Sequence, residues 1–463
     1  MAGSEQSSPG QSSKDLRRGL SRDDAKSLCD RVLAFARADH TRVRVQSGVR
    51  GFTRTAMNRV TTAGTTDDVA IRVTSAFGKR TASVNTNRLD AGSLEKLVRD
   101  AEALARLSPE DPEYIPAPGP QKYPEVNGYY ASTGGLTTED RARSAALVLA
   151  RADAANTIAA GFIDMFAGSE ALANSNGLFA HHASTGVAST LTVRAADGSS
   201  SGWAGSEGAD WNTIESGRIA GDAFRKCQDW RGKTALKPGK YEVVLEPTAA
   251  GMLLMRMMGS FDARSAEEGR SFLSRRGGGT LVGDKIFDER VTIVSDPGFV
   301  NGEVAPFTGE GIPVQREVWV ERGVVKNLSY SRFWANRKGM PARAPMSNFI
   351  MSGGEASIDD LIRSVSYGVL ITRFWYIRSL NPRTLTQTGL TRDGTFLIEN
   401  GKISRPVTNF RFNQSIVELL LNVEMLGRPV RVCASENSSA GTPVVVPALK
   451  VREFNLASVS DAV

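Results

Sequence analysis

Apolar residues recur at helical spacing in three stretches of the first half of the chain, with alternating runs between them. Ala25, Leu28, Cys29, Val32 and Leu33 form one stripe behind Ser21, a residue suited to capping a helix. Val43 and Val45 within 41–46, and Val69, Ile71 and Val73 within 69–74, alternate with polar residues and predict half-buried strands. Leu94, Leu97, Val98, Ala101, Leu104 and Ala105 predict a second helix. The Pro-rich run 109–120 has no period and reads as a crossing segment. Thr137, with Asp140 three residues later, has capping-box spacing ahead of a third helix reaching Ala152. Strand-like patterns return at 161–166 and 189–194.

Helices mixed with strands in this order predict an N-terminal α/β domain over residues 21–232. Residues 1–20 are rich in Ser, Gly and Gln and are expected to form a disordered leader. Beyond the turn at Lys237-Pro238-Gly239 the pattern becomes mostly strands, at 241–245, 290–294, 317–321, 369–373, 395–399 and 444–446. The dipeptides Arg322-Gly323, Asp393-Gly394 and Asn400-Gly401 supply turns between many of them. Helices are expected after Glu246 and over 358–364. The chain is therefore expected to be α+β, with residues 233–463 forming a β-rich, barrel- or sandwich-like C-terminal domain.

Composition acts mainly by exclusion. With 463 residues, 41% of them apolar and 23% charged, the chain is long enough for two or three domains with sizeable cores. No run of about 18 apolar residues marks a membrane span, and the N-terminus lacks the apolar core of a signal peptide. Cys29, Cys227 and Cys433 are odd in number and far apart, which favours a reducing, cytoplasmic location over a disulfide framework. A net charge of +7 is mild for this length and leaves nucleic acid a disfavoured partner.

Candidate chemistry is sparse. Gly278 and Gly283 have phosphate-loop spacing, but Asp284 stands where the motif needs Lys, so a Gly-rich hairpin is the better reading. His40, His181 and His182 are the only histidines, and adjacent residues on a strand face opposite ways. There is neither a CxxC pair nor a GxSxG elbow. Arg373, Phe374, Trp375, Tyr376 and Arg378 gather aromatic and cationic groups. Within that stretch Arg373, Trp375 and Arg378 are candidates for a cleft wall that grips an extended peptide; the alternative is a strand with alternate residues in the core.

Several phrases in the second half are specific when taken in order. They are Gly309-Glu310-Gly311-Ile312-Pro313-Val314-Gln315-Arg316, Val320-Glu321-Arg322-Gly323-Val324, Pro345-Met346-Ser347-Asn348, and Phe396-Leu397-Ile398-Glu399-Asn400-Gly401-Lys402-Ile403 with Pro406-Val407. Asn174-Ser175-Asn176-Gly177 precedes them. Together these resemble the TldD/PmbA family, also called the modulator-of-gyrase family, across residues 25–455. The resemblance implies an N-terminal α/β domain, a β-rich C-terminal domain and a two-chain peptidase acting on short, unstructured peptides. In such a pair the TldD-type chain carries zinc on a His-Glu-x-x-x-His helix with a further Cys ligand, and the TldE/PmbA-type chain lacks that site.

In the register fixed by Gly259, the resemblance places Met255, Arg256 and Ser260 at the His, Glu and His positions, and Cys433 at the Cys position. A thioether suits Cu(I) better than Zn(II), and a serine hydroxyl seldom ligates zinc. Arg256 stays protonated, so it can neither accept a proton nor sit comfortably beside a dication. The resemblance therefore implies a chain with no catalytic residue and no metal of its own, paired with a TldD-like metallopeptidase subunit that holds the zinc. Two alternatives stay open: a free-standing peptide- or nucleic-acid-binding protein, and a homodimer. An active peptidase with its site elsewhere is disfavoured by the shortage of histidine.

Overall fold

The computed structural model describes residues 19–299, 304–434 and 442–460. In the first half the alternation runs much further than the short predicted strands. β1 (His40–Ala56), β2 (Arg59–Phe77), β4 (Thr157–Asn174) and β5 (Phe179–Ala195) are 17 to 19 residues long. With β3 (Arg80–Thr86) and β6 (Ser201–Gly208) they form an antiparallel sheet in the order β3-β2-β1-β4-β5-β6. The added strand positions are Thr, Gly, Ser and Arg, which carry little apolar signal.

Because strand side chains alternate, one face of this sheet is built from odd-numbered residues of β1, β2, β4 and β5. Two helix-covered cores lie along it. α1 (Arg22–Leu33) and α2 (Ala91–Leu107) cover Val43, Val45, Ile71 and Val73. After the short α3 (Ala131–Gly134), α4 (Thr138–Ala154) and α5 (Ser216–Asp229) cover Met165, Ala167, Val187 and Val193. The expected caps form: Ser21 accepts the Asp24 N–H at 3.1 Å, and Thr137 with Asp140 makes a complete capping box.

Between the two cores Gly48 of β1 faces Gly168 of β4. Gly48 has φ +149°, and a Cβ there would lie 2.3 Å from the Ala167 carbonyl oxygen. A Cβ on Gly168 would lie 2.3 Å from the Ser47 carbonyl oxygen, so both strands need glycine to approach this closely.

Of the expected leader, residues 1–18 lie outside the described residues. Leu20 is buried: its N–H donates to Ser47 Oγ at 2.7 Å, and its carbonyl accepts from Ser169 Oγ at 2.9 Å. The end of that Ser-rich stretch is therefore part of the first core.

From β7 (Gly239–Leu245) onward the chain forms two further sheets. One runs in the order Phe374–Asn381, Thr386–Thr391, Asn409–Ser415, Leu449–Ser460, β7, Tyr367–Ile371, Thr395–Glu399, Lys402–Pro406, with Val423–Leu426 also on Leu449–Ser460. The other runs Val324–Val325, Glu317–Glu321, Ile293–Ser295, Phe349–Met351, Val444–Val446, Val430–Arg431. Both have two free ends, so among the described residues no barrel closes, and the β-rich C-terminal half is built from open sheets. Val243, Leu245, Phe412, Ile293, Trp319 and Phe349 from the two sheets share one core with Met252 and Leu253 of α6 (Pro247–Leu254). The predicted turns at Arg322-Gly323 and Asn400-Gly401 form with both residues at positive φ, the conformation that matches strand twist.

All three cysteines are buried and unpaired by disulfide. Burial, reinforced by Asp30 and opposed by Lys26, pushes the Cys29 thiol up to about 12. A reactive thiolate at Cys29 therefore requires pH near that value. Native protein treated with iodoacetamide at about pH 8 should leave Cys29 unmodified by peptide mass analysis until denaturant is added; prompt native labelling would mean that the α1 core opens readily.

Candidate functional site

The even-numbered face of the long sheet is not covered by helices; it carries charged and aromatic residues and looks toward the C-terminal half. Arg42 pairs across strands with Thr74, and Arg44 with Arg72, so these four side chains share that face. Across from them stand Asp262, the loop Thr308–Ile312, Ser329–Ser331 and Arg343, enclosing a cleft of about 410 Å³. Several of the phrases that carry the family resemblance converge here. Gly311, at φ +83°, accepts the Tyr123 hydroxyl at 3.0 Å, and Thr308 Oγ1 accepts the Ile312 N–H at 3.1 Å, which fixes the loop. Asn174 holds the β4–β5 turn, accepting from Asn176 N–H at 2.9 Å and donating to the Pro118 carbonyl at 2.8 Å.

Charge in this cleft is nearly balanced. Arg44 donates to Glu170 at 2.8 Å, and Arg343 lies 3.4 Å from Glu317. Burial holds the Arg42 guanidinium below its usual range, with Glu310 opposing and Arg332 and Arg44 reinforcing the shift. The result is a polar groove with both signs of charge and backbone close by. Sequence reading passed over Arg42, Arg44 and Arg72; the signal was arginine at alternate positions between core valines.

The degenerate metal positions lie on the chain leading into Asp262. The α-helix expected to run through Ser260 ends instead at Leu254, and Met255–Ser260 winds as a 3₁₀ segment. Met255 is half-buried against the core and Arg256 is exposed. The Ser260 carbonyl accepts the Ser271 hydroxyl at 3.0 Å. Cys433 is buried and follows Val432, whose Cγ2 would lie 2.6 Å from a Cβ on Gly251 of α6. Helix and Cys segment are thus packed together by Val432, Val444 and Val446 on a glycine. These residues do not fit zinc: a thioether, a guanidinium and a hydroxyl accompany a single thiol, and among the described residues no group of three His, Cys, Asp or Glu could hold a metal.

A second cleft, of about 260 Å³, lies at the far end of β1, and its walls come from both halves of the chain. Two of the three predicted cleft residues are here. Arg373 falls just beyond the end of Tyr367–Ile371, is 5% exposed, and pairs with Asp393 at 2.7 Å. The other Asp393 oxygen accepts the Ser201 hydroxyl at 2.7 Å, tying the turn between Thr386–Thr391 and Thr395–Glu399 to β6. The Arg373 guanidinium lies 4.3 Å from the centre of the Trp203 ring and 5.0 Å from that of Trp375. Arg373 is therefore a clamp within the protein, and Trp375 is the half-buried wall. Arg378 is not with them. Tyr376 takes φ +55° in a bulge, after which Arg378 is exposed, 4.1 Å from the Tyr376 ring, and donates to the Ile377 carbonyl. Trp203, Arg194 and Arg54 carry no local signal and reach this cleft only through the pairing of the long sheet.

A long helix-backed sheet is joined to a two-sheet β-rich half, with a groove lined by residues of two of the phrases that carry the family resemblance. A model of the PmbA/TldA metallopeptidase C-terminal domain matches residues 238–458, and one of PmbA/TldA metallopeptidase domain 1 matches residues 42–105. The chain belongs to the TldD/PmbA family. It is 28% identical over 312 residues to a metalloprotease of Methanothermobacter thermautotrophicus, covering 62% of this chain and 65% of the relative. It is 25% identical over 285 residues to a metalloprotease TldD homolog of Haemophilus influenzae, covering 56% and 58%. The chain thus spans about half to two thirds of the length of the curated relatives it matches. In fold it resembles TldE from Thermococcus kodakarensis, with a TM-score of 0.81 at 18% identity over 93% of this chain and 99% of that one. No helix among the described residues is long and apolar enough to cross a membrane.

The Arg373–Asp393 contact is the testable element of this geometry. Asp393→Asn leaves the buried guanidinium without its carboxylate and should cost about 3 kcal/mol in urea unfolding at neutral pH. A loss below about 0.5 kcal/mol would show that the pair does not clamp the two halves.

Proposed function

We propose that this chain is the TldE-like, non-catalytic partner of a zinc-bearing TldD-like metallopeptidase, acting in the proteolysis or maturation of short unstructured peptides. The observation that carries the reading is the replacement of the family's His, Glu and His by Met255, Arg256 and Ser260. Hydrolysis through a metal needs ligands that bind it and a base that takes a proton from water, and these three side chains supply neither. The groove beside Asp262 supports a peptide-holding role, since Arg42 and the fixed Thr308–Ile312 loop offer charge and backbone to an extended chain. In the complex, zinc resides in the partner subunit and this chain contributes a wall of the enclosure.

Metal analysis and peptidase assays of the chain alone, and co-purified with a TldD-like chain, test the reading. We expect substoichiometric zinc and no cleavage from the isolated chain, with chelator-sensitive cleavage of unstructured peptides on pairing. One zinc per isolated chain together with chelator-sensitive cleavage would overturn it. A stable homodimer that binds peptide and never pairs with a TldD-like chain would favour a free-standing binding protein instead.

A further inference from the structure

The Pro-rich crossing segment closes one end of the first cleft. Asn174 of β4 stands opposite Arg42 of β1, and its side chain donates to the Pro118 carbonyl at 2.8 Å, so the segment crosses the sheet beside Arg42. It is then tied to three parts of the facing wall. Glu113 pairs at 2.8 Å with Arg264, two residues past Asp262; the Pro116 carbonyl accepts from Arg332; and the Tyr123 hydroxyl donates to the Gly311 carbonyl at 3.0 Å. Prolines along the segment hold it stiff between these ties.

Toward the middle of the sheet the cleft opens instead. Arg44 lines it, while Glu170, the partner of Arg44 at 2.8 Å, lines an adjoining trough of about 430 Å³ with Gly48 and Gly168 on its floor. All residues lining that trough belong to the long sheet, so it has a floor and sides but no wall from the C-terminal half. The two glycines leave the floor bare of side chains, which lets another backbone lie close. Cleft and trough together follow β1 from Arg50 to Arg42, the length of about eight extended residues.

The charge at the closed end is placed for an anion. Arg44 pairs with Glu170, Arg343 lies 3.4 Å from Glu317, and Arg72 donates to Asn85 at 2.7 Å. Arg42, by contrast, makes neither a hydrogen bond nor an ion pair among the described residues; Glu310 attracts it from a distance while Arg332 and Arg44 repel it. A carboxylate arriving there relieves that repulsion and accepts paired N–H bonds from the guanidinium. An ammonium group meets the same arginines as repulsion. A peptide lying along the groove cannot continue through the crossing segment, so the part of it that reaches Arg42 is a chain end.

We propose that this groove reads the carboxyl terminus of an extended peptide, with the terminal carboxylate on Arg42 and the preceding residues running along β1 toward Gly48. The inference rests on the peptide-holding role of the groove and adds a polarity and a substrate class, peptides with a free terminal carboxylate.

Fluorescence anisotropy with the full-length chain tests it. The probe is an unstructured peptide of glycine, serine and alanine, about eight residues long and labelled at its amino end. It is used as the free acid, as the terminal amide, and as an amide carrying one internal glutamate. We expect the free acid to bind about tenfold or more tighter than either amide. Arg42→Gln should bring all three within about twofold of one another. Glu310 is exposed, and Glu310→Gln removes the competing carboxylate; it should tighten the free acid about twofold or more and leave the plain amide unchanged, a gain that misfolding cannot produce. The proposal is overturned if either amide binds as tightly as the acid, if Arg42→Gln keeps the preference, or if Glu310→Gln fails to tighten the acid. Equal binding of acid and plain amide would sink the polarity and leave the peptide-holding role standing. Absence of binding by all three up to about 1 mM would sink both.

Discussion

Everything in the first half of this protein follows from two-residue alternation sustained without slippage over strands of 17 to 19 residues. A shift of one residue would bring Arg42, Arg44, Arg50 and Arg54 beneath the helices and turn Val43 and Val45 outward. The helix-covered cores and the two clefts are therefore opposite sides of the same register. α1 and α2 pin it at one end and α4 and α5 at the other, through apolar contacts that only odd-numbered residues can make. The arginine face needs no separate construction; it is what remains once the valines are buried.

What could be read in the sequence was what is encoded locally. Ser21, and Thr137 with Asp140, mark helix starts because a cap satisfies nearby N–H groups. Arg322-Gly323 and Asn400-Gly401 mark hairpins because both residues take positive φ. The long strands were underestimated because Thr, Gly, Ser and Arg occupy much of their length, and pairing with neighbours rather than their own hydrophobicity keeps them extended. Leu20 looked like part of a loose leader because its partners, Ser47 and Ser169, are 27 and 149 residues away. The second cleft was hidden for the same reason. Arg373 and Trp375 stood out as neighbours in the chain, but Arg54, Arg194 and Trp203 come to them only through tertiary structure, and a bulge at Tyr376 turns Arg378 away.

The degenerate metal positions show how a scaffold can persist without its donors. α6 is held by apolar contacts rather than by ligation: Met252, Leu253 and Leu254 are fully enclosed, and Gly251 admits Val432, Val444 and Val446 to the helix backbone. Substitutions at 255, 256 and 260 fall past that packed segment, where the chain has already relaxed into 3₁₀ geometry. The exposed position 256 can change with little effect on the core, whereas Met255 still packs against it, so the lost donors have been replaced by side chains the architecture accepts.

The facing glycines at 48 and 168 have a mechanical meaning. They fall on the even-numbered face, while on the helix-bearing face their neighbours Ser47 and Ser169 are bridged by the backbone of Leu20. Because the two backbones approach too closely there for any side chain, the sheet is pinned at its middle by the stretch of chain that enters α1.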